Sequence, residues 1–201
     1  AAPTVLDGFA GQRRILRHKF IDQLLRDAMP RRGGLPAGAT VAHLAYYLAE
    51  HLGCDPILFV GQDLAFTDGL FYMPGSPIER IWGPELGRFQ TLEMKQWDRI
   101  VRNRSILRQT RDMRGGPVYT DDLLFTYREQ FQRDFSHSTR RLIQITGGGA
   151  AIEGLELMSL DEAADQFCTQ PLETPWLLGS PESTASFDRA ISELEKRRDE
   201  I

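Results

Sequence analysis

Cysteine is scarce in this chain: Cys54 and Cys168 are the only two among 201 residues. Two thiols are too few for a disulfide framework or a cysteine-rich zinc site, so a reducing, cytoplasmic setting is the simplest expectation. No apolar run approaches the roughly 20 residues that a membrane helix needs. The longest, Pro56 to Gly61, has strand length. The first residues do not read as a basic-then-apolar leader. The start Ala1-Ala2-Pro3 lacks Met, which suggests a processed product or a piece of something longer. Several chemical signatures are also missing. There is no Walker lysine, no Gly-x-Gly-x-x-Gly after a strand and no Gly-x-Ser-x-Gly elbow. His43 and His51 share a helix but are too far apart for an i,i+4 zinc pair, so each reads as a surface or packing histidine.

What is present suits a globular chain. Apolar residues make up 41% and charged residues 26%, enough to fill a core and too apolar for wholesale disorder. The net charge of −4 hides an asymmetry. Arg80 to Arg114 holds nine Lys/Arg and four Asp/Glu, whereas Ala150 to Ile201 holds four and twelve. A basic middle can face an anionic ligand such as a nucleotide, though a solvated helix face is the plainer reading. An acidic chain does not suit nucleic acid.

Periodicity sets out the elements. Gln12 to Met29 repeats apolar residues at helical spacing and stops at Pro30. Arg31 to Ala39 is a loop rich in Gly and Pro. Thr40 reads as an N-cap of a helix with Val41, Leu44, Ala45, Leu48 and Leu52 on one face, and Gly53 suits its left-handed end. Ile57 to Val60 reads as a strand buried on both faces of a parallel sheet. Gly61 to Pro84, with Phe66, Phe71, Tyr72 and Trp82, is long for a plain connection, as lids and binding loops are, and Thr67 to Pro84 is expected to fold over the pocket as a wall or lid. Leu92 to Asn103 is expected to be helical. Ile106 to Thr110 and Val118 to Thr120 flank Gly115-Gly116 as a hairpin. Asp121 to Phe135 is a helix, Arg141 to Thr146 a second strand, and Ser159 with Glu162 a capping box for a helix through Phe167. Pro171 to Ser186 reads as a linker and Phe187 to Arg198 as a last helix. The order implies an α/β sheet with parallel strands, whose ligands sit beyond the strands' carboxyl ends. The divisions expected are 1–32, 33–168 and 169–201.

Two loaded loops leave those ends: Gly61 to Gly69, carrying Gln62, Asp63 and Asp68, and Thr146 to Ala150, carrying Gly147, Gly148 and Gly149. Asp63 can accept from a ribose hydroxyl or base, or hold a hydrated Mg²⁺ shared with phosphates. Asp68 reads more simply as a turn cap. The three glycines let backbone amides approach a phosphate or sugar. Gly38, Ala39 and Thr40, at a helix start, form a third candidate anion seat. The topology is expected to bring Gly38, Thr40, Asp63 and Gly148 into one pocket. His137, at a helix end, is a weak candidate for a general base.

These loops carry a resemblance. Leu35-Pro36-Ala37-Gly38-Ala39-Thr40-Val41-Ala42, Leu48 to Ile57 and Phe59-Val60-Gly61-Gln62-Asp63-Leu64-Ala65-Phe66-Thr67-Asp68-Gly69 resemble the family shared by motility-accessory-factor (Maf) glycosyltransferases and archaeal hydroxymethylpterin diphosphokinases. Tyr119-Thr120-Asp121 and Thr146 to Gly154 are similar to it as well. The resemblance implies a Rossmann-like α/β core related to sialyltransferases, with the family's amino-terminal strands missing here. It implies an activated nucleotide: a cytidine-monophosphate-linked nonulosonic acid in the glycosyltransferases, with a protein acceptor such as flagellin, or ATP with Mg²⁺ in the pterin kinases. Asp63 would be the catalytic residue; Gly38, Ala39, Thr40, Gln62, Asp63 and Gly147 to Gly149 would bind nucleotide; Asp63 and Asp68 would hold the metal. Ala39 replaces the family's serine, and Gly147 stands where a glutamate is usual. A Maf-type glycosyltransferase is the first reading and pterin pyrophosphoryl transfer the second. The third is a non-catalytic partial domain that serves as an interaction module and self-associates through an exposed edge or apolar face.

Overall fold

The computed structural model describes Gly8 and residues 19–25, 34–170 and 184–199. The chain divides into two units, residues 1–37 with 171–201 and residues 38–170. In the first, helix α1 spans Lys19–Leu25 and buries Leu25. The rest of the helix expected over 12–29 lies outside the described residues.

The second unit opens with α2, Val41–Leu52. Its boundaries follow from its caps. The Thr40 hydroxyl accepts from the His43 amide at 3.4 Å, and Gly53 adopts the left-handed conformation (φ 76°) that a Cβ would penalise. The cis Asp55–Pro56 peptide leads into strand β1, Ile57–Phe59. After a long loop come α3 (Ile78–Trp82), α4 (Leu92–Arg102), the hairpin β2 (Leu107–Arg111) with β3 (Pro117–Asp121), α5 (Asp122–Phe135), β4 (Leu142–Gln144), β5 (Glu156–Leu157) and α6 (Leu160–Phe167). Asp121 caps α5 through the Leu124 amide, and Ser159 with Glu162 closes a capping box on α6. In the first unit the final helix, α7, spans Thr184–Asp199; residues 171–183 of the expected linker lie outside the description.

The fold is α/β. β1, β4 and β5 form a parallel sheet in the order β1-β4-β5, with Ile57 opposite Leu142 and Phe59 opposite Gln144. Ile143, on the central strand, is fully buried. The strand expected over Ile57 to Val60 is one residue shorter, and a strand that the sequence did not announce joins the sheet. β1 lies at an edge of the described sheet and ends at Phe59, leaving Val60 68% exposed where the chain turns through left-handed Gly61. β5 is a two-residue strand whose exposed Glu156 and Leu157 carry no apolar alternation to announce it.

Aromatic rings hold the core. Phe131 stacks on His43 with centroids 3.7 Å apart and meets Phe59 and Phe135 edge-on or tilted at 5.9 and 5.3 Å. Tyr46 sits against Phe135 at 5.1 Å. The buried face of α2 is therefore His43, Tyr46 and Tyr47, not the aliphatic stripe. Val41, Ala45, Leu48 and Leu52 face solvent, and Leu44 is half-buried. Rings bury more area than aliphatic side chains, and each polar tip here finds a partner. Tyr47 donates to Asp134 at 2.6 Å and Tyr46 to Glu50 at 2.8 Å. His43 Nε2 donates to the Tyr127 carbonyl, so Nδ1 accepts from the Thr40 hydroxyl. Burial lowers the pKa of His43 and favours this neutral ring.

Among the described residues no helix is long and apolar enough to cross a membrane. The aromatic core sets the stability of the second unit. Replacing Phe131 with Ala is expected to cost about 3–5 kcal/mol in urea unfolding followed by circular dichroism; a loss below about 1 kcal/mol would show that the ring cluster is not the keystone.

Candidate functional site

β1 and β4 run in the same direction, so the loops that leave them emerge at one end of the sheet. There the two loops are joined. Ala150 donates its amide to the Asp63 carbonyl at 2.6 Å, and Gly149 donates to the Thr67 hydroxyl at 3.0 Å. Gly61 donates to the Thr146 hydroxyl at 3.3 Å. A Cβ on Gly149 would lie inside the backbone of Asp63, and Gly149 has φ 81°. Only glycine fits both conditions. A Cβ on Gly148 would approach Thr67 Cγ2 to 3.2 Å.

The hairpin completes the assembly. Phe66 donates its amide to the Tyr119 carbonyl, and the Thr120 hydroxyl donates to the Leu64 carbonyl, both at 2.8 Å. Leu64 is held at φ 48°, a strained backbone for a bulky residue. On the other side Ala151 donates to the Arg111 carbonyl at 2.7 Å, and Asp112 bridges Ala150. From α5, Arg128 donates to the Ala151 carbonyl at 2.7 Å. Three segments, 63–69, 111–121 and 146–151, thus fix one another.

Within this frame several polar groups are left open. Asp63 is half-buried, and its carboxylate has no hydrogen-bond or ion-pair partner among the described residues. Desolvation raises its pKa above the ordinary carboxyl value. Gln144 is 1% exposed; its Nε2 donates to the Thr146 hydroxyl at 2.9 Å while its Oε1 has no partner. The amides of Gly147 and Gly148 are also without partners among the described residues. The Arg114 side chain lies against Gly147, where a Cβ would stand 2.5 Å from Nε and 2.8 Å from Cζ. It forms no ion pair among the described residues. Buried or half-buried polar groups without partners are rare in folded proteins, and desolvated carboxylates concentrate at functional sites.

The other expected residues are placed as follows. Gln62 follows Gly61, half-buried. Asp68 is exposed at φ 54° in the 3-10 turn Thr67–Gly69. Gly38, Ala39 and Thr40 lie at the amino end of α2; a Cβ on Gly38 would strike His43 at 2.6 Å. They make no hydrogen bond to the two loops, and Thr40 is committed to His43. The segment after Gly69 is pinned to α4. The Gln96 side chain accepts from the Phe71 and Tyr72 amides and donates to the Tyr72 carbonyl. Phe66, Phe71, Tyr72 and Trp82 continue it as a chain of ring contacts. His137 is exposed after α5, its Nδ1 bonded to the Arg133 carbonyl. A shallow concavity of about 440 Å³ opens on the hairpin, lined by Gln109, Thr110, Arg111, Gly115 and Pro117. Neither Asp63 nor the glycine triplet lines it.

Sequence reasoning missed Arg114, Gln144 and Thr67. Gln144 alone left a signal, as the polar residue in the apolar run Leu142-Ile143-Gln144-Ile145.

An α/β protein with converging loops beyond parallel strands belongs to the broad class that places ligands at that edge. The comparisons narrow this. Residues 2–69 match the family model described as 6-hydroxymethylpterin diphosphokinase MptE-like. The match contains the Gly38 and Asp63 segments of the resemblance and stops before Tyr119 and Gly147. No curated protein and no solved structure matches the chain.

Two substitutions separate lock from ligand site. Gly149→Ala is expected to destabilise by about 2–5 kcal/mol, from left-handed backbone and the clash with Asp63 together. Asp63→Asn is expected to raise Tm near neutral pH. A carboxyl whose pKa is raised in the fold loses stability as pH climbs from its unfolded value through its folded one. The gain of the Asn variant should therefore fade as pH falls toward about 3.9. Scanning calorimetry across pH checks both; an Asn variant less stable than the parent at neutral pH contradicts the unpaired carboxylate.

Proposed function

We propose that this chain carries the nucleotide site of a transferase, and that it acts as a Maf-type glycosyltransferase on a nucleotide-linked nonulosonic acid. One observation carries the reading: the unpartnered amides of Gly147 and Gly148 and the unpaired Asp63 belong to loops locked together beyond two parallel strands. Amides of a glycine loop present positive dipoles to an anion. In glycosyl transfer the anomeric carbon–oxygen bond to the nucleotide phosphate breaks, leaving charge on the nucleotide. The acceptor hydroxyl oxygen forms the new bond and gives up its proton. Donors aimed at the departing phosphate favour the first event. Asp63, with its raised pKa and free carboxylate, is the group available to orient the donor or take that proton.

The description of the matching family supports a second reading, pyrophosphoryl transfer from ATP to a pterin. Mg²⁺ would there bridge phosphates and neutralise their charge. Among the described residues no group of three His, Cys, Asp or Glu could hold a metal ion. Mg²⁺ held by one or two carboxylates together with substrate phosphates needs no such group; in this reading Asp63 and Asp68 would be those carboxylates.

Calorimetric titration of the full chain with cytidine monophosphate and with ATP, each with and without Mg²⁺, separates the two. Binding of cytidine monophosphate without metal supports the glycosyltransferase. ATP binding that requires Mg²⁺ and disappears in Asp63→Asn supports the pterin kinase. Failure of both nucleotides to bind removes the nucleotide site.

A further inference from the structure

We infer that Arg114 is the cation of a phosphate seat formed with the amides of Gly147 and Gly148, and that its ligand is a phosphoryl or pyrophosphoryl group. The inference deepens the nucleotide reading but depends on it only for what carries the phosphate. Arg114 comes from the turn of the β2–β3 hairpin, which contacts the glycine loop through the bridge between Asp112 and Ala150. The Asp112 carboxylate fixes that turn, accepting from the Arg114 and Gly116 amides at 2.8 Å each. The turn delivers the guanidinium onto Gly147, with Nε, Cζ and Nη2 2.5, 2.8 and 2.9 Å from where a Cβ would be. Gly147 is thus glycine for a different reason from Gly149. At Gly149 a side chain would meet backbone; at Gly147 it would meet only the mobile end of an arginine.

The Arg114 side chain is exposed, so an anion can reach it from solvent. No carboxylate pairs with it among the described residues, and two backbone amides beside it have no acceptor. At the root of the same loop Gln144 Nε2 is spent on the Thr146 hydroxyl, which also accepts from the Gly61 amide, so Gln144 adds no donor to the seat. An arginine fork and backbone N–H groups without acceptors form a donor-rich site. A tetrahedral anion with several acceptor oxygens satisfies it better than a carboxylate or a neutral sugar.

Inorganic pyrophosphate, cytidine monophosphate and cytidine, titrated calorimetrically into the full chain, form the test. Arg114→Gln is expected to weaken pyrophosphate roughly ten- to a hundredfold, the range of a charged hydrogen bond, with Tm unchanged because the exposed side chain has no ion-pair or hydrogen-bond partner among the described residues. Gly147→Ala, which pushes the guanidinium aside, is expected to weaken it similarly, again with Tm held. The double variant should bind no more weakly than Arg114→Gln alone, since both act through one contact. Arg88→Gln, which removes the same charge from another segment, should bind as the parent does. Pyrophosphate binding that is undiminished in Arg114→Gln, equally diminished in Arg88→Gln, or absent in the parent overturns the inference. If Arg114→Gln loses pyrophosphate while the parent binds neither cytidine monophosphate nor ATP, the seat stands and the nucleotide reading falls. If cytidine monophosphate binds the parent and Arg114→Gln alike, the seat falls and the nucleotide reading stands.

Discussion

Gly149 has no room for a side chain because the backbone of Asp63 occupies the space, and the candidate site depends on that contact. Parallel strands deliver their outgoing loops to the same edge of a sheet but do not make them touch. Contact requires one loop to come within backbone distance of the other, which excludes Cβ at the point of approach. The bonds from Ala150 to Asp63 and from Gly149 to Thr67 then use the amides on the far side of the triplet. The amides of Gly147 and Gly148, on the near side, remain unspent. The lock thus both fixes the loop and decides which of its donors stay available.

Such an edge carries a cost. Unpartnered buried polar atoms, a desolvated carboxylate and a leucine at positive φ each destabilise a fold by about one to a few kcal/mol. The half-buried Asp63 carboxylate and Leu64 at positive φ share one short loop, while the buried atoms without partners, Ser76 Oγ and Gln144 Oε1, lie outside it. His43 uses both ring nitrogens, and Tyr46 and Tyr47 both bond their hydroxyls. Gln144 Oε1 and Ser76 Oγ are buried without partners, so an open buried atom does not by itself mark the strand end. The physical argument for a ligand is the half-buried carboxylate and the two amides without partners among the described residues, in loops locked together beyond parallel strands.

Much of the fold was legible because local chemistry dictates it. Thr40, Gly53, Asp121 and Ser159 with Glu162 mark helix ends through bonds that span only a few residues. The Gly115-Gly116 turn identified the hairpin. The face of α2 was misread because an aliphatic stripe looks like a core face, whereas the buried side consists of a histidine and two tyrosines whose partners, Asp134, Tyr127 and Phe131, lie on α5. Polar-tipped aromatic residues are buried only when distant partners receive them, and no local pattern shows those partners. β5 was missed because its two residues are exposed and its partners, the β4 backbone and the Arg141 side chain, are distant in sequence.

The site divides in the same way. Asp63 and the glycine triplet were visible as loops leaving apolar strands. Arg114 was hidden inside a basic run that reads most simply as a solvated face. That reading holds for part of the run: Lys95 pairs with Glu85, Arg102 with Asp98, and Arg108 with Asp122 while it stacks on Phe125. A positive charge in such a run is informative only once its neighbours are known, because the same side chain serves equally as surface or as ligand. Arg114 is exposed and lies against Gly147, beside amides without partners among the described residues, so an anion arriving there would replace water on donors that no carboxylate holds.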